Sequence, residues 1–124
     1  MSTQLDDKKT VLVVDDAPAN IQIVNSILKE TYKIKIATNG AKALELVQAV
    51  PAPDLILLDV VMPEMDGYEV CTRLKSAAET KDIPVVFLTS DEDFHDRAGR
   101  LGAVAYLTKP VRADRLLDIV ERAI

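Results

Sequence analysis

Short runs of consecutive apolar residues recur along the chain, and each one ends at a polar or charged residue. The clearest are Thr10–Val14, which two aspartates follow, and 55–58, which Asp59 follows. A continuous apolar run, rather than an alternating one, is typical of a strand buried on both faces of a parallel sheet. Similar runs at 83–88 and 103–108 predict two more strands of this kind.

The segments between these runs have a different pattern. Residues 33–37 alternate lysine with apolar residues, which predicts a half-exposed strand at the edge of a sheet. Elsewhere apolar residues recur every three or four positions, as in a helix with one buried face. Five helices are predicted in this way, at about 18–30, 43–50, 67–78, 91–101 and 116–124.

Strands and helices therefore alternate, with five strand–helix units in succession. Such an order predicts a parallel sheet with right-handed crossovers and helices on both faces. Five strands in a chain of this length favour the flavodoxin-like α/β fold, a three-layer (βα)5 sandwich with strand order 2-1-3-4-5. We expect residues 1–9 to be a flexible N-terminal lead-in and residues 10–124 to form one domain.

Composition narrows the possible partners. The chain has 124 residues and a net charge of −5, so no basic patch is expected to bind nucleic acid or an anionic membrane directly. No stretch approaches the ~18 apolar residues of a membrane span, and the first ten residues lack the apolar core of a signal peptide. Cys71 is the one cysteine, which excludes an internal disulfide and fits a reducing compartment. A cytoplasmic location is expected.

Polar side chains stand at the carboxyl ends of the predicted strands. Asp15 and Asp16 follow the first strand, Asp59 the third, Thr89 the fourth and Lys109 the fifth. In the predicted strand order all five converge on one crevice, where open α/β sheets bind ligands. Two carboxylates ~4 Å apart repel by about 4 kcal/mol at an effective dielectric constant near 20. A cation is therefore expected, and oxygen ligands without histidine or cysteine favour Mg²⁺ over zinc.

This combination of groups suits a phosphoryl group in transfer. Asp59, ionised at neutral pH, is the candidate nucleophile, and its product would be an aspartyl phosphate. The metal ion would offset the repulsion between that carboxylate and the phosphoryl group. Lys109 and the Thr89 hydroxyl would hold the remaining phosphoryl oxygens.

At these strand ends the sequence resembles the receiver domain of two-component response regulators, over residues 10–124. Four motifs carry the resemblance, in order and each at a strand end. They are Val-Val-Asp-Asp at 13–16, Leu-Asp-Val-Val-Met-Pro-Glu-Met-Asp-Gly at 58–67, Phe-Leu-Thr-Ser at 87–90 and Tyr-Leu-Thr-Lys-Pro at 106–110.

The resemblance implies a role for each acidic residue of the site. Asp59 would accept a phosphoryl group from a phosphohistidine of a sensor histidine kinase or a histidine phosphotransfer protein. Asp16 and Asp59, with the backbone carbonyl of Val61, would bind Mg²⁺, and Asp15 would contribute through water. The domain would be a regulatory phosphoacceptor, not an enzyme with a separate substrate, and would catalyse only its own phosphorylation and dephosphorylation.

The resemblance also implies a switch. Lys109 would pair with the phosphoryl group, next to a cis peptide bond to Pro110. Thr89 would move toward a phosphoryl oxygen and leave space into which Tyr106 turns, although Tyr106 also fits a plain core aromatic. The surface formed by the fourth helix, fifth strand and fifth helix would then change, and family members bind downstream targets or dimerise there.

The chain departs from the family pattern at several positions. Ala17 stands where many receivers have a further acidic residue, and Val61 and Asp91 occupy positions that tune dephosphorylation in the family. The phosphoryl lifetime therefore does not transfer from relatives. Val104 and Ala105 replace an acidic pair that often supports dimers through the fourth and fifth helices, which argues against that dimer.

Three other functions fit the sequence less well. An Mg²⁺-dependent phosphohydrolase with an aspartyl nucleophile usually has a second acid two residues on, where this chain has Val61. A flavodoxin-like FMN carrier needs a hydroxyl- and glycine-rich loop after the first strand, whereas Asp15 and Asp16 would repel the phosphate. A receiver-like module that is never phosphorylated would act only by binding other proteins.

Overall fold

Five parallel strands form one sheet at the centre of the computed structural model, which describes residues 8–49, 51–90 and 99–124. Its strands are β1 (Thr10–Val14), β2 (Lys33–Ala37), β3 (Leu55–Asp59), β4 (Val85–Thr89) and β5 (Ala105–Thr108). The order across the sheet is β2-β1-β3-β4-β5, and every neighbouring pair is parallel. The predicted flavodoxin-like α/β fold and its strand order 2-1-3-4-5 are confirmed.

Four helices lie within the described residues. They are α1 (Pro18–Leu28), α2 (Gly40–Leu46), α3 (Gly67–Ser76) and α4 (Ala113–Ala123). The last of these corresponds to the fifth helix predicted from sequence. Most of the fourth predicted helix falls on residues 91–98, so that prediction and the one for Asp91 lie outside the described residues.

The core consists of two apolar layers, one on each face of the sheet. Side chains that alternate along a strand enter opposite layers: Leu12 packs on the side of α2 and α3, and Val13 on the side of α1 and α4. All five residues of β1, β3 and β4 are buried. This two-sided burial is the physical reason for the continuous apolar runs in the sequence.

Several boundaries differ from the predicted ones by a few residues. β4 begins at Val85 rather than at 83, because Pro84 has no amide hydrogen to donate to a ladder. β5 begins at Ala105 rather than at 103, and α2 ends at Leu46 rather than near 50. Among the described residues, no helix has both the length and the apolar composition that crossing a membrane requires.

Candidate functional site

The carboxyl edge of the sheet brings together the polar residues that follow its strands. Asp15 comes directly after β1, and Asp59 is the last residue of β3, its neighbour in the sheet. Both carboxylates are buried, with 1% and 4% of each residue exposed, whereas Asp16 is exposed. Lys109 follows β5, and its backbone N–H donates to the Thr89 carbonyl at 2.7 Å.

A lysine makes the closest ionic contact in this site. The Nζ of Lys109 lies 2.8 Å from Oδ1 of Asp59, to which it donates a hydrogen bond, and 3.5 Å from Oδ2 of Asp15. Its side chain is 19% exposed. One ammonium group therefore lies against two buried carboxylates that come from adjacent strands.

The three aspartates form one acidic group. Oxygens of Asp15, Asp16 and Asp59 all lie within 4.8 Å of one another. Oδ1 of Asp15 accepts a hydrogen bond from the backbone N–H of Ala17 at 2.9 Å. The other oxygen, Oδ2, is buried and has no hydrogen-bond partner. A buried anionic oxygen without a donor is costly, and a cation at this position would remove the cost.

The electrostatics of the site oppose ionisation of Asp59 and favour it at Lys109. Burial raises the pKa of the Asp59 carboxyl; the charges of Asp15 and Asp16 raise it further, and the Lys109 hydrogen bond only partly offsets this. Burial alone would lower the pKa of Lys109, but the hydrogen bond to Asp59 and the charges of Asp59 and Asp15 outweigh it. The net pKa of Lys109 is therefore raised, and its ammonium group stays charged.

The loop after β3 brings α3 close to Asp59. Gly67, the first residue of α3, donates from its N–H to the Val60 carbonyl at 2.8 Å, and a Cβ at this position would collide with the Asp59 carbonyl oxygen. Asp66 caps the helix by accepting from the Glu69 N–H at 2.9 Å. The sequence predicted a turn at 66–67, but the close approach of Gly67 to the site was not predicted.

Two further features belong to this loop. Glu64 has a positive φ of 69°, and the Met65 N–H donates to the Pro63 carbonyl at 2.7 Å, which closes a tight three-residue turn. Val61, whose backbone carbonyl is the predicted metal ligand, has a side chain that is 78% exposed. Neither the turn nor this exposure has a signal in the sequence pattern.

The remaining predicted residues lie on β4, on β5 and just after it. Thr89 is buried at the end of β4, opposite Thr108 in the strand register. Tyr106 is half-buried, pairs with Phe87 in the same register and packs against the core layer under α2 and α3. The peptide bond between Lys109 and Pro110 is cis, the geometry that the resemblance implies.

The donor set of the acidic group fits a hard divalent cation. Its three carboxylates offer only oxygen ligands, which Mg²⁺ prefers. Three carboxylates and one ammonium group also leave two negative charges without compensation, and one divalent cation balances them. The unsatisfied Oδ2 of Asp15 points to the same conclusion.

Comparison with known proteins gives a consistent result over most of the chain. The family model of the response regulator receiver domain matches residues 11–121. A probable cyclic di-GMP phosphodiesterase of Vibrio cholerae is 47% identical over 104 residues, which are 82% of this chain. The chain spans only 23% of that relative's length.

A shorter relative and a solved structure match along nearly their whole length. Protein PilH of Pseudomonas aeruginosa is 34% identical over 113 residues, which cover 89% of this chain and 93% of PilH. The crystal structure of a putative response regulator from Chloroflexus aurantiacus superposes with a TM-score of 0.89 at 29% identity. The superposition covers 94% of this chain and 98% of that one.

Proposed function

This chain belongs to the response regulator receiver family, whose members are phosphorylation-activated switches of two-component signalling, and we propose that Asp59 is its phosphoacceptor. The observation that carries the proposal is the environment of Asp59. It is a buried carboxylate at the end of the central strand, bonded to Lys109 at 2.8 Å and grouped with two further carboxylates. The receiver is a regulatory domain, and we propose that the only reactions it catalyses are its own phosphorylation and dephosphorylation.

In the proposed reaction, Asp59 attacks the phosphorus of a phosphohistidine. Lys109 already binds Oδ1, so Oδ2 is the oxygen that forms the new O–P bond. The P–N bond breaks, and its electron pair stays on the imidazole of the donor. The donor is a sensor histidine kinase or a histidine phosphotransfer protein.

Asp15, Asp16 and Asp59, together with the backbone carbonyl of Val61, are the residues that would hold Mg²⁺. When bound, Mg²⁺ offsets the negative charge that a phosphoryl group brings to a carboxylate site. Asp15 contributes a buried oxygen that accepts no hydrogen bond. Lys109 remains beside the acceptor and neutralises one charge of the entering group.

The signal leaves the site through β4 and β5. Thr89 lies at the end of β4 and supplies a hydroxyl that binds a phosphoryl oxygen. Tyr106 lies on the adjacent strand, in register with Phe87, and changes orientation when Thr89 moves. The surface of β5 and α4 is therefore the one proposed to bind a downstream protein or output domain.

Intact mass after incubation with acetyl phosphate tests the acceptor. Wild-type protein with Mg²⁺ should gain the mass of one phosphoryl group and lose it again with time. The same protein in EDTA should not, nor should Asp59→Asn with Mg²⁺. Asp118→Asn, which changes an exposed carboxylate of α4, is the matched control and should react like wild type. An adduct on Asp59→Asn, or none on wild type, would refute the proposal.

A further inference from the structure

The outer edge of β2 is a strand edge without a partner. β2 pairs with β1 on one side, and within the described residues no strand pairs with its other side. Such an edge presents unpaired backbone N–H and C=O groups, to which an extended segment of another chain can add. Ile36, near the end of this strand, is 42% exposed and offers an apolar contact there.

Two of the five residues of β2 are lysines, in an otherwise acidic protein. Lys33 and Lys35 lie on β2, and Lys29 directly follows α1. In the described parts of the chain, none of these three ammonium groups forms an ion pair, whereas the ammonium group of Lys42 pairs with Glu45 and that of Lys75 donates to two backbone carbonyls. The net charge of the chain is −5, so this edge differs in sign from the molecule as a whole.

The side chains of β2 divide between the two faces of the sheet. Lys33 pairs with Thr10 and Lys35 with Leu12. Both lysines therefore lie on the face of the sheet on which Leu12 packs against α2 and α3. Ile34 and Ile36 point to the opposite face, where Ile34 packs against the core layer of α1 and α4. A segment added beside β2 would therefore meet positive charge on one face and apolar side chains on the other.

We propose that the free edge of β2 binds an extended segment of a partner protein in which acidic and apolar residues alternate. The backbone of this segment would extend the sheet by one strand. Its carboxylates would lie beside Lys33 and Lys35, and its apolar residues beside Ile34 and Ile36. The same lysines disfavour pairing with a second copy of this chain, because two lysine edges repel each other. The proposal does not depend on phosphorylation of Asp59.

A blocked synthetic peptide that alternates glutamate with valine and threonine is a direct probe. In an NMR titration of the full chain, amide shifts should concentrate at residues 33–37, and hydrogen exchange of outward-facing amides there should slow. A peptide with proline in place of valine and threonine carries the same charge but cannot form the strand ladder. It should bind at least tenfold more weakly and leave hydrogen exchange unchanged.

Charge reversal of the two lysines of β2 provides the matched variant. Lys33→Glu/Lys35→Glu should weaken binding of the alternating peptide by tenfold or more, whereas Lys81→Glu, at an exposed lysine elsewhere, should not. Both variants should melt within a few degrees of wild type, which shows that they fold. Equal binding of the proline peptide would mean simple charge attraction and overturn the proposal. Amide shifts away from β2, unchanged binding by the double variant, or no binding by wild type would also overturn it.

Discussion

At the scale of single residues, the surroundings of Asp59 oppose the ionised form of its carboxyl group. Its raised pKa, caused first by burial and then by Asp15 and Asp16, means that the folded protein holds the carboxyl proton more tightly than the unfolded chain does. The free energy of unfolding therefore falls as pH rises from the ordinary aspartate pKa through the raised one. Above the raised pKa, without a metal ion, this loss of stability is fully present.

Asp59→Asn should consequently unfold at a higher temperature than wild type at neutral pH in EDTA, by a few degrees. The amide oxygen can still accept from Lys109, while the repulsion from Asp15 and Asp16 is removed. The difference should close as pH falls below the ordinary aspartate pKa, because wild-type Asp59 is then neutral as well. Thermal unfolding across this pH range checks the sign, with Asp118→Asn as the exposed control. A variant less stable than wild type at neutral pH would contradict the argument.

Gly67 lies at a position where any other residue would collide with backbone. Its hydrogen lies against the Asp59 carbonyl, where a methyl group would collide with backbone. Gly67→Ala should cost about 2–3 kcal/mol of unfolding free energy, since backbone must move to admit the new atom. It should also slow phosphorylation of Asp59, whose backbone is displaced.

Gly99→Ala is the control for that substitution, because nothing among the described residues lies within 4 Å of a Cβ added at Gly99. Denaturant unfolding should find this variant within about 1 kcal/mol of wild type and on the stable side, because Gly99 has helical backbone. Equal effects of the two substitutions would mean that the contact between Gly67 and Asp59 does not determine the result.

At the scale of elements, the strands were predictable and the contacts that join helices to loops were not. β1 and β3 are continuous apolar runs with an acidic end, so their burial and their order follow from the sequence. The same reasoning placed Asp15, Asp59 and Lys109 at one edge, because parallel strands share their carboxyl ends. It could not find which carboxylate oxygen is buried without a donor, since that depends on side-chain orientation.

Lys75 of α3 illustrates a contact that has no sequence signal. Its Nζ donates to the carbonyls of Lys81 and Ile83, both at 2.9 Å, and so fixes the segment that leads into β4. Its methylene groups lie 3.5–3.6 Å from the position of a Cβ on Gly102. A lysine at this position of an amphipathic helix would otherwise be assigned to the solvent.

Replacing Lys75 by methionine tests this contact, because methionine keeps the apolar stem and removes the donor. Lys75→Met should lower the free energy of unfolding by about 1–3 kcal/mol, the cost of losing hydrogen bonds from a charged group. Lys81→Met, at an exposed lysine of the same region, should change it by less than about 0.5 kcal/mol. If denaturant unfolding gives equal values, Lys75 does not stabilise the loop.

At the scale of the whole molecule, charge is unevenly distributed between two edges of the sheet. The carboxyl edge gathers three aspartates around one lysine, and the free side of β2 carries lysines without ion pairs in the described structure. Repulsion between these like charges thus lowers the stability of the fold at the carboxyl edge. Binding of a divalent cation there should return that stability, since a ligand that binds only the folded state stabilises it.

Magnesium should therefore raise the melting temperature of wild-type protein in proportion to the logarithm of its concentration once the site is saturated. At a hundred times the dissociation constant, the gain is about 2.7 kcal/mol. Asp15→Asn should lose most of it, because it removes the charge of a buried carboxylate of the proposed site, and Asp118→Asn, on an exposed ion pair of α4, should keep it. Sodium chloride at matched ionic strength separates binding from screening. If sodium stabilised the protein as much as magnesium, or Asp15→Asn responded like wild type, the three aspartates would be a repulsive cluster and not a metal site.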